Sequence, residues 1–189
     1  MNELLSASTV TECAPEWQTR PMGALATHIS GVYHERMRDE LPSLIRQAAA
    51  MTSRFNDWRV FQLHALTSLL AELRDEVDSH DWTEDDLLFP VLAAYENPKI
   101  LITTLTPDRL FRLVDQLTEE HRHIRQVLAR ITAHIDAVSE RAAETPDWAA
   151  LNQRVARLRD LKLEELDLED RCLLPRARAI AEADSRLGA

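Results

Sequence analysis

Residues 63–90 read LHALTSLLAELRDEVDSHDWTEDDLLFP, and this stretch decides the fold class. Its apolar residues recur at alternating spacings of three and four, which is typical of a helix that buries one face. Two polar residues, His80 and Glu84, occupy consecutive positions of that face. The stretch therefore predicts a bundle helix with an imidazole and a carboxylate on its buried side. The complete stripe consists of Leu63, Leu66, Leu70, Leu73, Val77, His80, Glu84, Leu87 and Val91.

Three more helices are predicted around this one. Thr106-Pro107 and Thr145-Pro146 each place a hydroxyl side chain at an N-cap and proline at the first helical position. The chain has only 3 glycines among 189 residues, which also favours helix. Short connections between long helices predict an all-α, up-down-up-down four-helix bundle. The predicted helices span about residues 22–51, 57–95, 107–143 and 146–183.

The N-terminal region is predicted to differ from the rest. We expect residues 1–21, interrupted by Pro15 and Pro21, to be a flexible lead-in, and residues 22–183 to form one domain. The first residues do not combine a basic segment with an apolar stretch, so no signal peptide is predicted. Apolar runs also fall short of the roughly 20 residues of a membrane span. A cytoplasmic location is the resulting expectation.

Charge and cysteine usage limit the class of function. With 22 basic and 32 acidic residues the formal charge is -10, which disfavours nucleic acid as a partner and favours cations. Cys13 and Cys172 are far apart and form no CxxC motif. We therefore expect no disulfide framework, with Cys172 acting as a small buried apolar residue.

The other predicted helices also carry polar residues within apolar stripes. His121 lies in the middle of the third stripe, and His34 lies in that of the first helix. Glu165 and Glu169 occupy positions of the fourth stripe where leucine would be expected. The first stripe is His34, Met37, Leu41, Leu44 and Ala48. The third is Leu110, Val114, Leu117, His121, Ile124, Leu128, Ile131, Ile135 and Val138, and the fourth is Leu151, Val155, Leu158, Lys162, Glu165, Glu169 and Cys172.

Buried carboxylates need a compensating charge. Each costs several kcal/mol in an apolar core unless it is paired or binds a metal. Lys162 is the only cation on a stripe, and one lysine cannot neutralise three carboxylates, whereas two divalent ions can. Taken singly, a histidine on a stripe is usually an ordinary core residue and a glutamate pair is usually solvated. Their common depth at mid-helix favours a metal site, and mixed imidazole and carboxylate ligands suit iron or manganese. His28, His64, His123 and His134 fall outside this set and are expected at the surface or periphery.

An internal repeat relates the second and fourth helices. Residues 80–90 align with residues 165–175, and in both segments a glutamate precedes a leucine by four residues and a proline by six. In this alignment Glu165 takes the position of His80. Two interpretations of Glu165 remain open. Either it is a metal ligand itself, or it turns to Lys162 and leaves a site of three histidines, two glutamates and solvent.

Several of these motifs resemble the hemerythrin-like (HHE cation-binding) domain. The resemblance rests on His80-xxx-Glu84 running into Leu88-Phe89-Pro90, on Glu120-His121, and on Tyr33-His34 followed by Glu40-Leu41-Pro42. It covers about residues 17–178 and is strongest to the repair-of-iron-centres proteins, a di-iron group linked to nitrosative and oxidative stress. The full-length proteins of that group carry an N-terminal domain with a paired-cysteine motif, which this sequence lacks.

The resemblance implies a ligand set for two irons. It assigns His34, His80, Glu84, His121 and Glu169, with Glu84 and Glu169 as the bridging carboxylates. The family's fourth-helix histidine falls on Glu165, so the predicted metal site is His34, His80, Glu84, His121, Glu165 and Glu169.

The function expected from this site is that of a non-haem di-iron protein, with manganese as the alternative metal. It would meet O2, peroxide or NO in oxidative or nitrosative stress or in iron-centre repair. A di-iron oxidase or oxygenase with a small organic substrate, and a non-catalytic O2- or metal-binding protein, remain as alternatives. Whether the chain is an enzyme is therefore left open. A small molecule is the expected partner, without nucleic acid or membrane.

Overall fold

The computed structural model describes residues 13–97, 106–139 and 145–187, and the regular structure in these ranges is helical throughout. A short helix, α1, spans Pro15–Gln18. Four long helices follow in the described ranges, and three of them contain a five-residue π-helical segment. Helix α2 consists of Met22–Ile29, the π-segment Ser30–His34 and Glu35–Met51. Helix α3 consists of Arg59–Thr83, the π-segment Glu84–Leu88 and Phe89–Glu96, and α4 spans Pro107–Ser139. Helix α5 consists of Pro146–Leu168, the π-segment Glu169–Leu173 and Leu174–Leu187.

Successive helices run in opposite directions. The backbone N–H groups of Met22 and Gly23, at the start of α2, donate to the Glu96 carboxylate at the end of α3 over 2.6 and 3.0 Å. At the other end of the molecule the Arg154 guanidinium, near the start of α5, donates to Glu40 in α2 over 2.7 Å. Helix α2 packs against α3 and α5, and α4 packs against the same two helices. The predicted all-α four-helix bundle is confirmed.

A polar layer divides the core into two apolar clusters. Along every long helix, one stretch of buried apolar residues lies before the predicted site residue and another lies after it. In α4, for example, Leu110–Leu117 belong to one cluster and Ile124–Val138 to the other, with His121 between them. The site is therefore covered by hydrocarbon on two sides along the bundle axis, which limits the access of water.

The π-helical segment of α3 shifts the buried stripe by one residue. The 3-4 pattern predicts Leu87 and Val91 in the core, but Leu87 is 38% exposed and the buried residues are Leu88 and Leu92, each 0% exposed. This part of the stripe was predicted incorrectly, because one extra residue in a π-turn rotates everything after it relative to an α-helix. In α5 the predicted Cys172 is buried, and so are Leu173, at the end of the π-segment, and Leu174, directly after it.

The cysteines also differ from the expectation. Cys13 and Cys172 form a disulfide, with Cα atoms 5.0 Å apart and 159 residues between them in sequence. The prediction that no disulfide forms was wrong, because the fold brings the start of the described chain against α5, a proximity that spacing alone cannot indicate. Trp17 of α1 packs on the apolar cluster that contains Cys172. The Arg176 guanidinium donates to the backbone carbonyl of Trp17 over 3.2 Å.

Parts of two predicted segments lie outside the described residues. They are residues 1–12 of the expected lead-in and residues 140–143 of the expected third helix. In the described ranges, none of the helices combines the length and the apolar character that a membrane crossing would require.

Candidate metal centre

All six predicted site residues meet in the polar layer. Each side chain is buried, with 0% or 1% exposure, and each of the four long helices contributes at least one of them. They are His34 from α2, His80 and Glu84 from α3, His121 from α4, and Glu165 and Glu169 from α5.

The π-helical segments coincide with this layer. The segment in α2 ends at His34, and those in α3 and α5 begin at Glu84 and Glu169. In each, a backbone N–H reaches back five residues, as from Phe89 to the carbonyl of Glu84. Such turns occur often at functional sites because they redirect one side chain without ending the helix. Sequence reasoning missed them, although the proline six residues after Glu84 and Glu169 in the repeat was a possible signal.

Each histidine is oriented by a carboxylate on its outer side. A proton on Nδ1 that is donated to this carboxylate leaves the Nε2 lone pair directed into the layer, which is how protein histidines are usually prepared for a metal. The three Nδ1-to-oxygen pairs are His34 with Asp85 at 3.1 Å, His80 with Glu120 at 3.2 Å and His121 with Asp170 at 2.7 Å.

These outer carboxylates are themselves held in place. The Arg38 guanidinium donates to Asp85 over 2.9 Å, and that of Arg125 lies 2.8 Å from Asp170. The Gln116 amide donates to Glu120 over 2.7 Å. None of the three carboxylates was among the predicted site residues, although each is a direct sequence neighbour of one of them.

Nine buried polar atoms of the layer have no hydrogen-bond partner, eight of them on the six predicted residues and the ninth being Oδ2 of Asp81. Leaving a buried polar group unsatisfied costs about 1–3 kcal/mol, and more when it is charged, so native proteins rarely concentrate such atoms. The chemistry of this set, imidazole nitrogens and carboxylate oxygens, is that of a transition-metal site. The eight atoms are Nε2 of His34, His80 and His121, both carboxylate oxygens of Glu84 and of Glu169, and Oε2 of Glu165.

The atoms form two overlapping groups, and in each group one candidate ligand atom per residue lies within 4.8 Å of the others. Glu84 and Glu169 belong to both groups, so each carboxylate is placed to bridge two positions. The first group is His80, Glu84, His121 and Glu169, and the second is His34, Glu84, Glu165 and Glu169. The six residues present therefore fit a pair of metal ions.

Without a metal, the histidines act as cations toward the glutamates. Burial alone would lower the pKa of His34, but Glu165 and Glu84 raise it to about 11. Burial and the charge of Lys162 act to lower the pKa of His80. Glu84, Glu120 and Glu169 outweigh both effects and raise this pKa to about 10. Imidazolium–carboxylate pairs thus compensate part of the charge when the site holds no metal.

The glutamates respond in opposite directions. Burial, followed by repulsion from Glu169, raises the pKa of Glu84 to about 7. Burial also acts to raise the pKa of Glu169, but the protonated imidazoles of His121 and His80, whose Nε2 atoms lie 3.0 and 3.5 Å from its Oε2, lower it below its ordinary value. The protonated histidines that face Glu169 therefore outweigh the effect of burial on its pKa.

Glu165 combines the two roles that the sequence left open. Its Oε1 lies 2.9 Å from Nζ of Lys162 and 3.1 Å from Nε2 of His34, while its Oε2 is buried without a partner. Lys162 is 0% exposed and also donates to Oδ1 of Asp81 over 3.2 Å. Burial would lower the pKa of Lys162, but Glu165 and Asp81 raise it above its ordinary value. Asp81 was not predicted; its position directly after His80 was the available signal.

The remaining histidines lie away from the layer, as predicted. His64 and His123 are exposed, and His123 lies 3.4 Å from the Glu76 carboxylate. His28 is half-buried and packs against Trp17, with ring centroids 4.8 Å apart. His134 is half-buried, and its Nε2 lies 3.0 Å from the backbone carbonyl of Gln62.

Comparison with known proteins agrees with this geometry. Residues 27–106, which include His34, His80 and Glu84, match the hemerythrin HHE cation binding domain. The resemblance expected from the motifs is confirmed over these residues, and the matched domain is described as cation binding.

Three relatives extend the similarity over most of the chain. The iron-sulfur cluster repair protein YtfE of Enterobacter sp. (strain 638) is 28% identical over 164 residues, covering 87% of this chain and 70% of that protein. YtfE of Edwardsiella ictaluri (strain 93-146) is 28% identical over 170 residues, which cover 86% of this chain and 68% of that protein. YtfE of Escherichia coli O1:K1 / APEC is 27% identical over 172 residues, which cover 87% of this chain and 70% of that protein.

Proposed function

We propose that the chain is a non-haem di-iron protein that acts in iron-centre repair under oxidative or nitrosative stress, with O2, peroxide or NO as the small molecule that meets the irons. The observation that carries this proposal is the set of eight buried, unpartnered nitrogen and oxygen atoms contributed by six side chains. The relatives are named iron-sulfur cluster repair proteins, and this supports the repair assignment. The cytoplasmic location expected from the sequence stays a prediction.

The ligands are proposed as His34, His80, Glu84, His121, Glu165 and Glu169, with Glu84 and Glu169 shared between two ions. Two iron ions bound there would supply one-electron chemistry and a coordination position for a small molecule. The chain's own contribution is positional. Outer carboxylates fix the histidine rings, the buried helix faces hold Glu84 and Glu169 inward, and the two apolar clusters keep bulk water away.

Manganese is the alternative metal, since carboxylate-rich sites accept it readily. The donor set favours iron, because imidazole is a preferred ligand of iron and the site contributes three imidazoles. Metal analysis of protein purified without chelators, followed by anomalous scattering at the iron edge, tests this point. We expect about two iron ions per chain, and well under one ion after iron supplementation would contradict the proposal.

The functional part is tested with the iron-loaded chain under anaerobic conditions. NO, peroxide or O2 is added in separate experiments, and their consumption and the absorption spectrum are followed with time. Rapid consumption of NO or peroxide, together with reactivation of an iron–sulfur enzyme damaged by the same agent, is the expected result. A stable, reversible O2 adduct without consumption would instead identify an O2-binding protein. O2 uptake that requires an organic compound would identify an oxidase or oxygenase. A His64→Ala variant, altered at an exposed histidine, serves as the control for intact behaviour.

A further inference from the structure

The two groups of candidate ligands are chemically unequal. Glu84 and Glu169 are common to both, so the difference lies in the other two residues of each group. One position adds the imidazoles of His80 and His121, whereas the other adds His34 and Glu165. The first position therefore offers two nitrogens and two shared carboxylates, and the second offers one nitrogen and three carboxylates.

The internal repeat shows where this inequality originates. Aligning residues 80–90 with residues 165–175 places Val77 opposite Lys162, and His80 opposite Glu165. Val77 and Lys162 are both buried, at 1% and 0% exposure. An apolar residue and a neutral imidazole in α3 are thus replaced in α5 by a cation and a carboxylate, which leaves the formal charge of the pair unchanged.

A second substitution in the repeat stabilises this exchange. Asp81 of α3 aligns with Leu166 of α5, and both are buried. Asp81 provides the cross-helix partner of Lys162, with Oδ1 3.2 Å from Nζ. Breaking a buried ion pair is expensive when one charge is left alone, so Asp81 keeps the lysine ammonium in position. Among the described residues, Lys162 is the one lysine or arginine that is buried.

Lys162 acts on the position formed by His34 and Glu165. Its ammonium lies 2.9 Å from Oε1 of Glu165, which leaves Oε2 as the unpartnered oxygen. A positive charge at that distance repels a metal cation bound to the same carboxylate and draws electron density away from it. The position formed by His80 and His121 shares no hydrogen bond with Lys162, which donates to Glu165 and Asp81, so the lysine charge reaches His80 only through space.

We propose that the two metal positions fill in order, the one between His80 and His121 first, and that Lys162 is the positioning residue that makes the His34–Glu165 position the weaker and more oxygen-coordinated of the two. This inference rests on the proposed dinuclear site. Imidazole nitrogens bind Fe²⁺ in preference to Mn²⁺, and carboxylates are less discriminating. The second position therefore exchanges its metal more readily and accepts Mn²⁺ beside an iron-filled first position.

The test is an anaerobic titration of the metal-free full chain with Fe²⁺. Calorimetry and competition with a coloured chelator measure the binding. We expect two binding events whose Kd values differ by at least about tenfold. In Lys162→Met the second Kd falls by about tenfold or more, because the repelling charge is gone and Oε1 is released, while the first changes by less than about threefold. Arg159→Met, which removes a cation one turn earlier on the same helix, leaves both values unchanged.

Two further measurements keep the inference open to refutation. Lys162→Met leaves Asp81 without its cation, so Asp81→Asn/Lys162→Met is prepared as well; it contains no unpaired buried charge and is expected to strengthen the second event in the same direction. In the unaltered chain, one equivalent of Fe²⁺ followed by one of Mn²⁺ should give anomalous iron scattering beside His80 and His121 and manganese scattering beside His34.

Equal Kd values in the unaltered chain, an unchanged second Kd in both lysine variants, or iron spread evenly over the two positions would each overturn the inference. All three outcomes would leave the proposed function intact, because they still require two bound metals. A chain that binds no metal at all would instead overturn the proposed function.

Discussion

Nδ1 of His121 lies 2.7 Å from Oδ1 of Asp170, and this aspartate directly follows the candidate ligand Glu169 in α5. One helix thus supplies both a carboxylate for the metal position and the group that orients a histidine of the neighbouring helix. Both histidine and aspartate are further tied to their surroundings, since the Arg125 guanidinium lies 2.8 Å from Oδ2 of Asp170. The orientation of His121 therefore depends on α5 as much as on its own helix.

Replacing Asp170 should weaken metal binding without removing a ligand. In Asp170→Asn the negative charge that polarises the imidazole is lost, and changes of this type cost about 10–100-fold in metal affinity. We expect a loss of about tenfold or more in the first Fe²⁺ binding event, measured by chelator competition. Asp167→Asn is the matched control, since this aspartate lies on the same helix and contacts Arg125 and Arg171 but no histidine. Equal effects of the two variants would show that the His121 contact is unimportant.

Alanine substitution directly tests which histidines belong to the polar layer. His80→Ala and His121→Ala should reduce bound iron from about two ions to one or fewer, because each removes a buried nitrogen directed into the site. His64→Ala and His134→Ala should retain the metal, since these residues lie outside the polar layer. Metal content is measured after identical reconstitution and desalting. Loss of iron in all four variants, or in none, would contradict the assignment.

Metal removal should make stability depend on pH in a defined direction. The raised pKa values of His34, about 11, and His80, about 10, mean that the metal-free fold binds more protons than the unfolded chain above pH 6.5. The pKa of Glu84 is raised from 4.5 to about 7, so between these pH values this group also binds more protons in the folded chain than in the unfolded chain. Stability contributed by such groups is complete below the unfolded pKa and is lost as pH rises toward the folded one. The pKa of Glu169 is lowered, so this group is ionised in both states above pH 4.5 and does not change the pH dependence of stability there.

The melting temperature of the metal-free chain should therefore fall steadily from pH 5 to pH 9. Bound metal requires neutral imidazoles, so the stabilisation by iron should increase over the same range. Differential scanning calorimetry of metal-free and iron-loaded samples at each pH measures both trends. A metal-free melting temperature that rises from pH 5 to pH 8 would refute the charge assignment.

The sequence predicted the fold, and the burial of the candidate ligands on the inner helix faces, because both depend on periodicity. Buried leucines, His80 and His121 recur with the spacing of a helix face, and a face has only one side that meets the core. The outer carboxylates could not be predicted in the same way. Asp85 and Asp170 look like ordinary surface acids, and their function depends on which histidine of another helix approaches them. The Cys13–Cys172 disulfide has the same origin, since nothing local records a contact across 159 residues.

The error at Leu87 has a different cause, since it arose inside a helix whose periodicity was otherwise correct. A stripe predicts burial only while the number of residues per turn stays constant, and Glu84–Leu88 contains one residue more than an α-turn. That extra residue moves the apolar stripe from Leu87 to Leu88, directly after the candidate ligand Glu84. The local departure from α-geometry therefore begins at a residue of the polar layer.

Alanine substitution at these two adjacent leucines tests the register. Leu88 is 0% exposed and belongs to the apolar cluster beside the polar layer, so Leu88→Ala should lower the free energy of unfolding by about 2–5 kcal/mol through lost burial and a residual cavity. Leu87 is 38% exposed, and Leu87→Ala should cost under about 1 kcal/mol. Urea denaturation of the two variants in the metal-free state compares identical chemical changes one position apart. If Leu87→Ala proved the more destabilising, α3 would continue as a regular α-helix past Glu84, and Leu87 instead of Leu88 would face the core.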